Sequence, residues 1–249
     1  MKAIILSAGR GSRLLPLTDT LPKCLLEISG RTVLSLQLDT LAACGVREAV
    51  VITGYMPHLV EAEVEKASGI KVRTLFNPFY HIADNLASCW MARGEMQGDF
   101  LLINGDTLFE EALLRDVLAV PPNGISVTIS KKNDYDDDDM KVTLNGEALT
   151  AIGKTLSPQE TDAESIGMLR FTGDGPSRYV AELEAMMRTP EGNTSWFLKA
   201  INAVAGRGEP VTTCDITGRQ FAELDTQEDY RALQEMFRSG EFPSPAPSR

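Results

Sequence analysis

The chain opens with a short apolar run that leads directly into a glycine loop. Residues 2–7 read Lys-Ala-Ile-Ile-Leu-Ser, and residues 8–13 read Ala-Gly-Arg-Gly-Ser-Arg. A continuous apolar run of this length is typical of a buried strand in a parallel sheet. Glycine lets the backbone approach a ligand closely, and free amide N–H groups in such a loop can point at phosphate oxygens. The opening residues therefore predict a first strand followed by a phosphate-binding loop.

Two common glycine motifs do not account for this loop. No Lys-Ser or Lys-Thr pair follows Gly11, so the loop is not a P-loop, and the third glycine of the dinucleotide fingerprint is missing. A purely structural turn is the alternative interpretation, because glycine turns follow the first strand in many α/β proteins. Two cations beyond the loop, Arg13 and Lys23, favour a nucleoside triphosphate as the ligand, since they would neutralise its oxygens.

The complete string from Leu6 to Lys23 is more specific than its glycines. It reads Leu-Ser-Ala-Gly-Arg-Gly-Ser-Arg-Leu-Leu-Pro-Leu-Thr-Asp-Thr-Leu-Pro-Lys. This string resembles the signature of the sugar-phosphate nucleotidyltransferase superfamily, and the resemblance covers the chain from Met1 to about Phe237. It implies that the loop binds the base and phosphates of a nucleoside triphosphate. It also implies that Arg13 and Lys23 neutralise those phosphates.

The rest of the chain alternates between strand and helix patterns. Apolar runs at 48–53, 70–76 and 100–104 predict strands, and apolar residues at helical spacing over 33–44 predict a crossover helix. This order predicts an α/β fold with a mostly parallel sheet, whose ligand crevice lies at the carboxyl ends of the strands. From Lys131 onward, shorter polar segments predict a small β insertion that contacts the acceptor. The resemblance implies a Rossmann-like, GT-A-like sheet with helices on both faces.

Length and charge limit the classes of protein to consider. The 249 residues fit one α/β domain, predicted over 1–238, and a proline-rich tail at 239–249 is predicted to be disordered. A net charge of −11 argues against a general nucleic-acid binder, whose surface would be basic. Four scattered cysteines predict reduced thiols, and no stretch has the length of a membrane span. We expect a cytoplasmic protein that binds neither nucleic acid nor membrane.

Two aspartates follow predicted strands. Asp106 ends the segment Phe-Leu-Leu-Ile-Asn-Gly-Asp, and Asp225 ends Phe-Ala-Glu-Leu-Asp. Helix capping is the alternative role for each aspartate. Both positions match the metal aspartates of the superfamily, so the resemblance implies that Asp106 and Asp225 bind Mg²⁺, which would stabilise charge on the phosphates. The four aspartates at 136–139 instead predict a solvated acidic loop, because consecutive carboxylates cannot all face one ion.

The resemblance also identifies a branch and a nucleotide. Asn85-Leu-Ala-Ser88 is similar to the Asn-Asn-x-x-Ser segment of bacterial phosphocholine cytidylyltransferases and their inositol-phosphate and phosphonate counterparts. The chain departs from that segment in having Asp84 where the branch often has Asn. The segment implies CTP as the nucleotide, with Asn85 and Ser88 near the base. The implied nucleotide-binding residues are Leu6, Ser7, Ala8, Gly9, Arg10, Gly11, Ser12, Arg13, Lys23, Gly54, Asn85, Ser88, Asn104 and Gly105.

The acceptor residues are implied by two further segments. Asp-Asp-Met-Lys-Val at 138–142 and Glu-Ser-Ile-Gly at 164–167 are similar to the inositol-phosphate and phosphonate members. By that resemblance Lys141 or Lys154 binds the acceptor phosphate, with a solvated surface lysine as the alternative, and the glutamate lies near the headgroup. Trp196 offers an aromatic face to a quaternary ammonium, with core packing as the alternative. The implied acceptor residues are Lys141, Lys154, Glu164, Gly167 and Trp196.

Together these implications describe a magnesium-dependent transferase. It would move CMP from CTP to a small phosphorylated alcohol, such as phosphocholine, and release pyrophosphate, with Arg13, Lys23, Asp106 and Asp225 as catalytic residues. A sugar-1-phosphate uridylyl- or thymidylyltransferase on the same scaffold is one alternative. A non-catalytic nucleotide-binding regulatory subunit is the other. The sequence leaves open whether the protein forms a homodimer.

Overall fold

The computed structural model describes residues 1–243. Their packing forms two compact units. Among the described residues, unit 1 comprises 1–81, 103–115 and 219–243, and unit 2 comprises 82–102 and 116–218. Whether the two units act as the single predicted domain stays a prediction.

Strands and helices alternate along the described chain, as an α/β fold requires. The strands are β1 (Lys2–Ser7), β2 (Glu27–Ile28), β3 (Arg31–Thr32), β4 (Glu48–Thr53), β5 (Lys71–Phe76), β6 (Phe100–Asn104), β7 (Thr107–Phe109), β8 (Ile125–Ser130), β9 (Lys141–Asn145), β10 (Ala148–Gly153), β11 (Ala163–Phe171), β12 (Val211–Asp215) and β13 (Phe221–Glu223). The helices are α1 (Val33–Ala43), α2 (Pro57–Val64), α3 (Asn85–Met91), α4 (Glu111–Ala119), α5 (Gly175–Met186), α6 (Leu198–Gly206) and α7 (Gln227–Ser239). None of these helices is long and apolar enough to cross a membrane.

Unit 1 contains the parallel strands predicted from the opening apolar run. The order of the strands that lie wholly in unit 1 is β5-β4-β1, and β4 pairs in parallel with both β1 and β5. The last two residues of β6, Ile103 and Asn104, also belong to this unit. Ser7 lies opposite Thr53, and the Gly105 amide donates to the Leu6 carbonyl at 3.0 Å. The loop after β1, the loop after β4 and the loop after β6 therefore leave the sheet at one edge. This is the edge at which parallel α/β sheets bind ligands.

A second, smaller sheet in unit 1 joins two strands that are far apart in the sequence. Residues 108–119 carry helical spacing, yet Thr107–Phe109 form β7, which pairs antiparallel with β13. Only the residues from Glu111 form a helix. The pairing with a strand more than 100 residues away overrides the local helical pattern. Next to this pairing, the Leu224 amide donates to the Asp106 carbonyl at 3.1 Å.

The described part of the predicted tail packs on unit 1. Helix α7 continues through Ser239, and Gly240 ends it in the left-handed conformation. Phe242 is only 3% exposed and joins an apolar cluster with Leu224 and Leu233. Burying a phenylalanine contributes about 1.5–3 kcal/mol. Residues 239–243 therefore continue α7 and pack on unit 1, residues 244–249 lie outside the described residues, and disorder of the tail stays a prediction.

Unit 2 contains the predicted β insertion. The strand order is β11-β8-β12-β10-β9, with β8 parallel to β12 and antiparallel to β11. Strands β9 and β10 form an antiparallel hairpin, and β9 also pairs with β11. The Asn202 side chain of α6 accepts a hydrogen bond from the Ile152 amide at 2.9 Å, which fixes the hairpin to that helix.

Candidate active site

Lys23 lies at the centre of a cluster of charged side chains in unit 1. Its ammonium is 2.6 Å from Asp106 Oδ2 and 2.5 Å from Asp225 Oδ1. Arg13 forms a further ion pair with Asp225 at 3.3 Å. The structure thus brings together the four residues predicted to be catalytic, although Lys23 and Asp225 are separated by 202 positions in the sequence.

The environment of Lys23 keeps it charged. Burial alone would lower the pKa of Lys23, but attraction to Asp106 and Asp225 and the hydrogen bonds that Lys23 donates to them outweigh burial and raise the pKa above its ordinary value. At neutral pH the side chain is therefore an ammonium. It contacts both carboxylates, and its contact with phosphate oxygens stays a prediction.

The glycine loop explains how Lys23 reaches this position. Gly11 has φ of +74°, and a Cβ atom there would lie 2.9 Å from Lys23 Cβ. A side chain at residue 11 would therefore be strained and would collide with the stem of Lys23. The buried Thr18 hydroxyl donates to the Gly11 carbonyl at 2.8 Å and fixes the loop. At Gly9, in contrast, an added Cβ would meet nothing within 4 Å, so this part of the loop is open to a ligand.

The Asp106 loop is fixed by a residue that the sequence reading missed. The Gln37 amide nitrogen on α1 donates to the carbonyls of Asn104 and Thr107, both at 2.8 Å. Gln37 is only 1% exposed. Its two acceptors flank Gly105 and Asp106, so Gln37 determines the path of the backbone that carries the carboxylate.

Capping, the alternative role for the two aspartates, does not apply. Strand β7 follows Asp106, so no helix begins there. At the second position Thr226 is the N-cap of α7 and forms a capping box with Asp229. The carboxylate of Asp225 instead pairs with Lys23 and Arg13.

The two carboxylates suit a divalent cation. Oxygens of Asp106 and Asp225 converge on one point, and the Lys23 ammonium occupies that point as a stand-in cation. One or two carboxylates together with substrate oxygens are the usual ligands of Mg²⁺. Within the described residues, no group of three or more His, Cys, Asp or Glu side chains forms a separate metal site.

The other predicted nucleotide residues of unit 1 divide into exposed and buried groups. Gly9, Arg10, Ser12 and Arg13 are exposed in the loop, whereas Ser7, Ala8 and Gly105 are buried and Leu6, Gly11 and Asn104 are partly buried. Arg10 pairs with Asp19 at 3.1 Å and lies over the Tyr55 ring at 5.5 Å. The Tyr55 hydroxyl donates to the Asp19 carbonyl at 2.8 Å, so the glycine loop, Asp19 and the segment after β4 are connected through Arg10 and Tyr55.

Gly54 and Gly105 have packing reasons to be glycine. A Cβ at Gly54 would lie 2.5 Å from the Ala8 carbonyl oxygen, and one at Gly105 would lie 2.4 Å from Ser7 Oγ. Neither contact leaves room for a side chain. Both glycines therefore allow close packing against Ser7 and Ala8, where the glycine loop begins. Their contact with a nucleotide stays a prediction.

The two predicted base-binding residues lie in unit 2 on α3. Asp84 caps this helix, and Asn85 Oδ1 accepts a hydrogen bond from the Phe197 amide at 2.9 Å. Ser88 is 3% exposed. The asparagine thus fixes the segment that precedes α6, and contact of either residue with a base stays a prediction.

The predicted acceptor residues form two cation contacts in unit 2. Lys154 lies over the Trp196 ring at 5.2 Å and pairs with Asp138 at 3.3 Å. Lys132, which the sequence reading did not select, pairs with Asp139 at 2.8 Å and Glu164 at 2.7 Å. Asp139 is therefore not part of the solvated acidic loop, whereas residues 136–138 are exposed as predicted.

Burial and the neighbouring charges shift the two carboxyl groups in opposite directions. Burial raises the pKa of Glu164, the hydrogen bond that its protonated form donates to Asp139 adds to the rise, and Lys132 only partly opposes it. Burial would also raise the pKa of Asp139, but hydrogen bonds from Lys132 and the Asp136 amide lower it overall. Asp139 therefore loses its proton before Glu164 does as the pH rises, and its carboxylate faces the Lys132 ammonium.

Lys141 and Gly167 have structural roles in this unit. Lys141 is only 1% exposed, and its ammonium donates to the Lys154 carbonyl at 3.0 Å. Gly167 has φ of +69° within the irregular stretch of β11, between Ser165 and Leu169. Of the two lysines proposed for the acceptor phosphate, Lys154 is the more accessible.

Comparisons with known proteins agree with this geometry. Residues 2–134, more than half of the chain, match the family model described as Nucleotidyl transferase. The chain is 38% identical over 125 residues to CMP-5'-(3-aminopropyl)phosphonate synthase of Streptomyces rubellomurinus, a match that covers 49% of this chain and 19% of that protein. It is 30% identical over 117 residues to choline-phosphate cytidylyltransferase of Streptococcus pneumoniae, covering 47% and 50% of the two chains. The matches thus span about a fifth and half of these relatives' lengths.

A solved structure confirms the α/β fold. The inositol-1-phosphate CTP transferase from T. maritima superposes with a TM-score of 0.81 and 20% identity, over 96% of each chain. At this identity the likeness establishes the fold alone. The family match, together with this fold, confirms the resemblance found in the sequence: the chain belongs to the nucleotidyl transferase family.

Proposed function

We propose that the chain is a nucleotidyltransferase that moves CMP from CTP to a small phosphorylated acceptor and releases pyrophosphate. The observation that carries the proposal is the convergence of Lys23, Asp106, Asp225 and Arg13 at the edge where the glycine loop leaves the sheet. Both relatives described above carry names that refer to a cytidylyl or CMP product. These names support CTP over UTP or dTTP.

The proposed reaction needs positioning and charge stabilisation rather than a covalent enzyme intermediate. A phosphate or phosphonate oxygen of the acceptor bonds to the α-phosphorus of CTP. The bond from the α-phosphorus to the oxygen bridging it to the β-phosphorus breaks, and pyrophosphate leaves with that electron pair. Lys23 and Arg13 stabilise the charge that develops on the phosphate oxygens, since a preorganised cation acts without the cost of reorganising water.

Asp106 and Asp225 are the proposed ligands of Mg²⁺. When bound, the metal would supply charge stabilisation on the phosphates and orient them. The carboxylates also hold the two cations in place before the nucleotide binds, which keeps the side chains close to their working positions. Gln37 and Gly11 act through them, by fixing the Asp106 backbone and by leaving space for Lys23.

Unit 2 favours an acceptor with a cationic headgroup. The Trp196 face contacts one ammonium, that of Lys154, and the Asp139–Glu164 pair contacts another, that of Lys132. Aromatic faces and carboxylates bind quaternary ammonium and amino groups for the same electrostatic reason. We therefore infer a phosphocholine-like or aminoalkyl phosphonate acceptor, with Lys154 near its phosphate.

Pyrophosphate release tests the proposal. The purified protein with Mg²⁺ would be assayed with CTP, UTP, dTTP or GTP, each with phosphocholine, 2-aminoethylphosphonate, inositol phosphate or glucose-1-phosphate. We expect release with CTP and a cationic acceptor. Release only with UTP or dTTP and glucose-1-phosphate would replace the proposal with the sugar-nucleotide alternative. Binding of CTP without release from any pair would favour the regulatory alternative.

A further inference from the structure

Lys23 occupies the point at which the two proposed metal ligands converge. Its ammonium contacts both Asp106 and Asp225, and its side chain is only 14% exposed. Arg13 places a second cation on Asp225. The formal charges of these four side chains cancel. A divalent cation that entered alone would therefore meet a neutral cluster whose carboxylates already have partners.

The position of the Lys23 backbone is fixed. Cys24 and Leu25 are 3% and 6% exposed, and the Leu25 and Leu26 amides donate to the Pro22 and Lys23 carbonyls. The stem of the side chain passes close to Gly11. Only the outer part of the side chain is thus able to turn, and moving a largely buried ammonium off both carboxylates is costly unless other anions lie within its reach. A triphosphate supplies such anions, and a metal ion does not.

We propose that Lys23 is an internal counter-ion that excludes divalent metal from the Asp106–Asp225 site until a nucleoside triphosphate binds. The ammonium then turns to the phosphate oxygens, and the two carboxylates become available to the metal that accompanies the nucleotide. The inference rests on the proposed function for the identity of the nucleotide. Its consequence is strong positive coupling between the two ligands, and by linkage each must raise the affinity for the other by the same factor.

Titration with Mn²⁺, followed by the electron paramagnetic resonance signal of the free ion and corrected for the Mn²⁺ that CTP binds without protein, tests the proposal without turnover. For the unmodified protein we expect Mn²⁺ affinity to rise at least about tenfold when CTP is present, within the usual range of coupling between two ligands. In K23M, a variant that removes the ammonium and keeps the stem, Mn²⁺ affinity without nucleotide should rise at least about tenfold over the unmodified protein. D106N should weaken Mn²⁺ binding in the K23M background.

Two controls separate the role of the ammonium from other effects. K66M removes a lysine of unit 1 that is 73% exposed and pairs with Glu63, and it should bind Mn²⁺ like the unmodified protein. K23R keeps a cation and should also exclude Mn²⁺ in the absence of nucleotide. Circular dichroism would verify that each variant is folded.

The proposal is overturned if the unmodified protein binds Mn²⁺ equally well with and without CTP. This comparison needs no variant, so it holds even if K23M does not fold. Equal affinity of K23M and the unmodified protein in the absence of nucleotide would also overturn it. Failure of this inference is distinguishable from failure of the proposed function. Pyrophosphate release together with Mn²⁺ binding that does not depend on CTP refutes only the inference. Mn²⁺ binding that depends on CTP, without pyrophosphate release, refutes only the proposed reaction.

Discussion

Replacing Gln37 with leucine would remove the two hydrogen bonds that fix the Asp106 loop. The side chain is 1% exposed, and its amide nitrogen donates to the carbonyls of Asn104 and Thr107. A net contribution of about 0.5–1.5 kcal/mol per hydrogen bond gives a loss of about 1–3 kcal/mol in the free energy of unfolding. The Gln37 Oε1 atom is itself buried without a partner, so its removal offsets part of that loss.

The same substitution should weaken metal binding, because the carboxylate of Asp106 depends on the path of its backbone. We expect Q37L to lower Mn²⁺ affinity in the presence of CTP by about tenfold, which corresponds to about 1.4 kcal/mol. Urea denaturation measures the first effect and Mn²⁺ titration the second.

Thr40 provides a matched control on the same helix. Its buried hydroxyl donates to the Leu36 carbonyl, so this hydrogen bond stays within α1. T40V should lower stability modestly and leave Mn²⁺ affinity unchanged. If Q37L changes stability by less than about 0.5 kcal/mol, as an ordinary surface substitution does, or leaves Mn²⁺ affinity at the level of T40V, the positioning role of Gln37 is wrong.

Three further predictions follow from single contacts. G11A should lower the free energy of unfolding by about 1–2 kcal/mol because residue 11 is left-handed. The rate of pyrophosphate release should also fall in the folded fraction of the variant, because the added Cβ displaces Lys23. A normal rate would show that Lys23 does not need the space beside Gly11. W196A should raise the KM for phosphocholine by about 2- to 30-fold while W196F does not, as expected for loss of a cation–π contact, and an equal rise for both variants would count against that contact. Burial would raise the pKa of Asp215, but Lys131 and Thr217 lower it overall. The carboxylate therefore stabilises the fold fully above its unfolded pKa of about 3.8, and this contribution is lost as the pH falls through the lower folded pKa. D215N should therefore show a shallower loss of stability on acidification than the unmodified protein, and identical acid-unfolding curves would contradict the assignment.

Patterns along the chain predict the elements whose structure depends on local sequence. The opening apolar run forms β1, the β-branched run at 48–53 forms β4, and the polar segments after Lys131 include the β9–β10 hairpin. The two aspartates at strand ends were also found, because a strand followed by Gly-Asp or Leu-Asp is visible in a short window. Their roles came from the resemblance rather than from spacing.

Features that depend on distant pairing were missed. Gln37 looks like one polar residue in an apolar helix, and its acceptors lie 67 and 70 positions away. The residues of β7 continue the helical spacing of α4. They form a strand only because they pair with β13, which lies more than 100 residues further along the chain. Phe242 stands in a proline-rich stretch, and only the apolar cluster beside α7 explains its burial. Lys132 follows β8 in a polar segment, and nothing near it in the sequence indicates that it pairs with Glu164 of β11.

The most direct test of the central claim compares initial rates of pyrophosphate release from CTP in D106N and E228Q. Both variants remove one carboxylate charge from unit 1, but Glu228 is 80% exposed and lies on α7, where its carboxylate pairs with Arg231. With the acceptor that the unmodified protein uses, we predict that D106N loses about 100-fold or more in kcat while remaining folded, as expected for loss of a group that stabilises the transition state. E228Q should retain the rate of the unmodified protein. Equal rates in D106N and E228Q would contradict the assignment of the Lys23–Asp106–Asp225 cluster as the catalytic site.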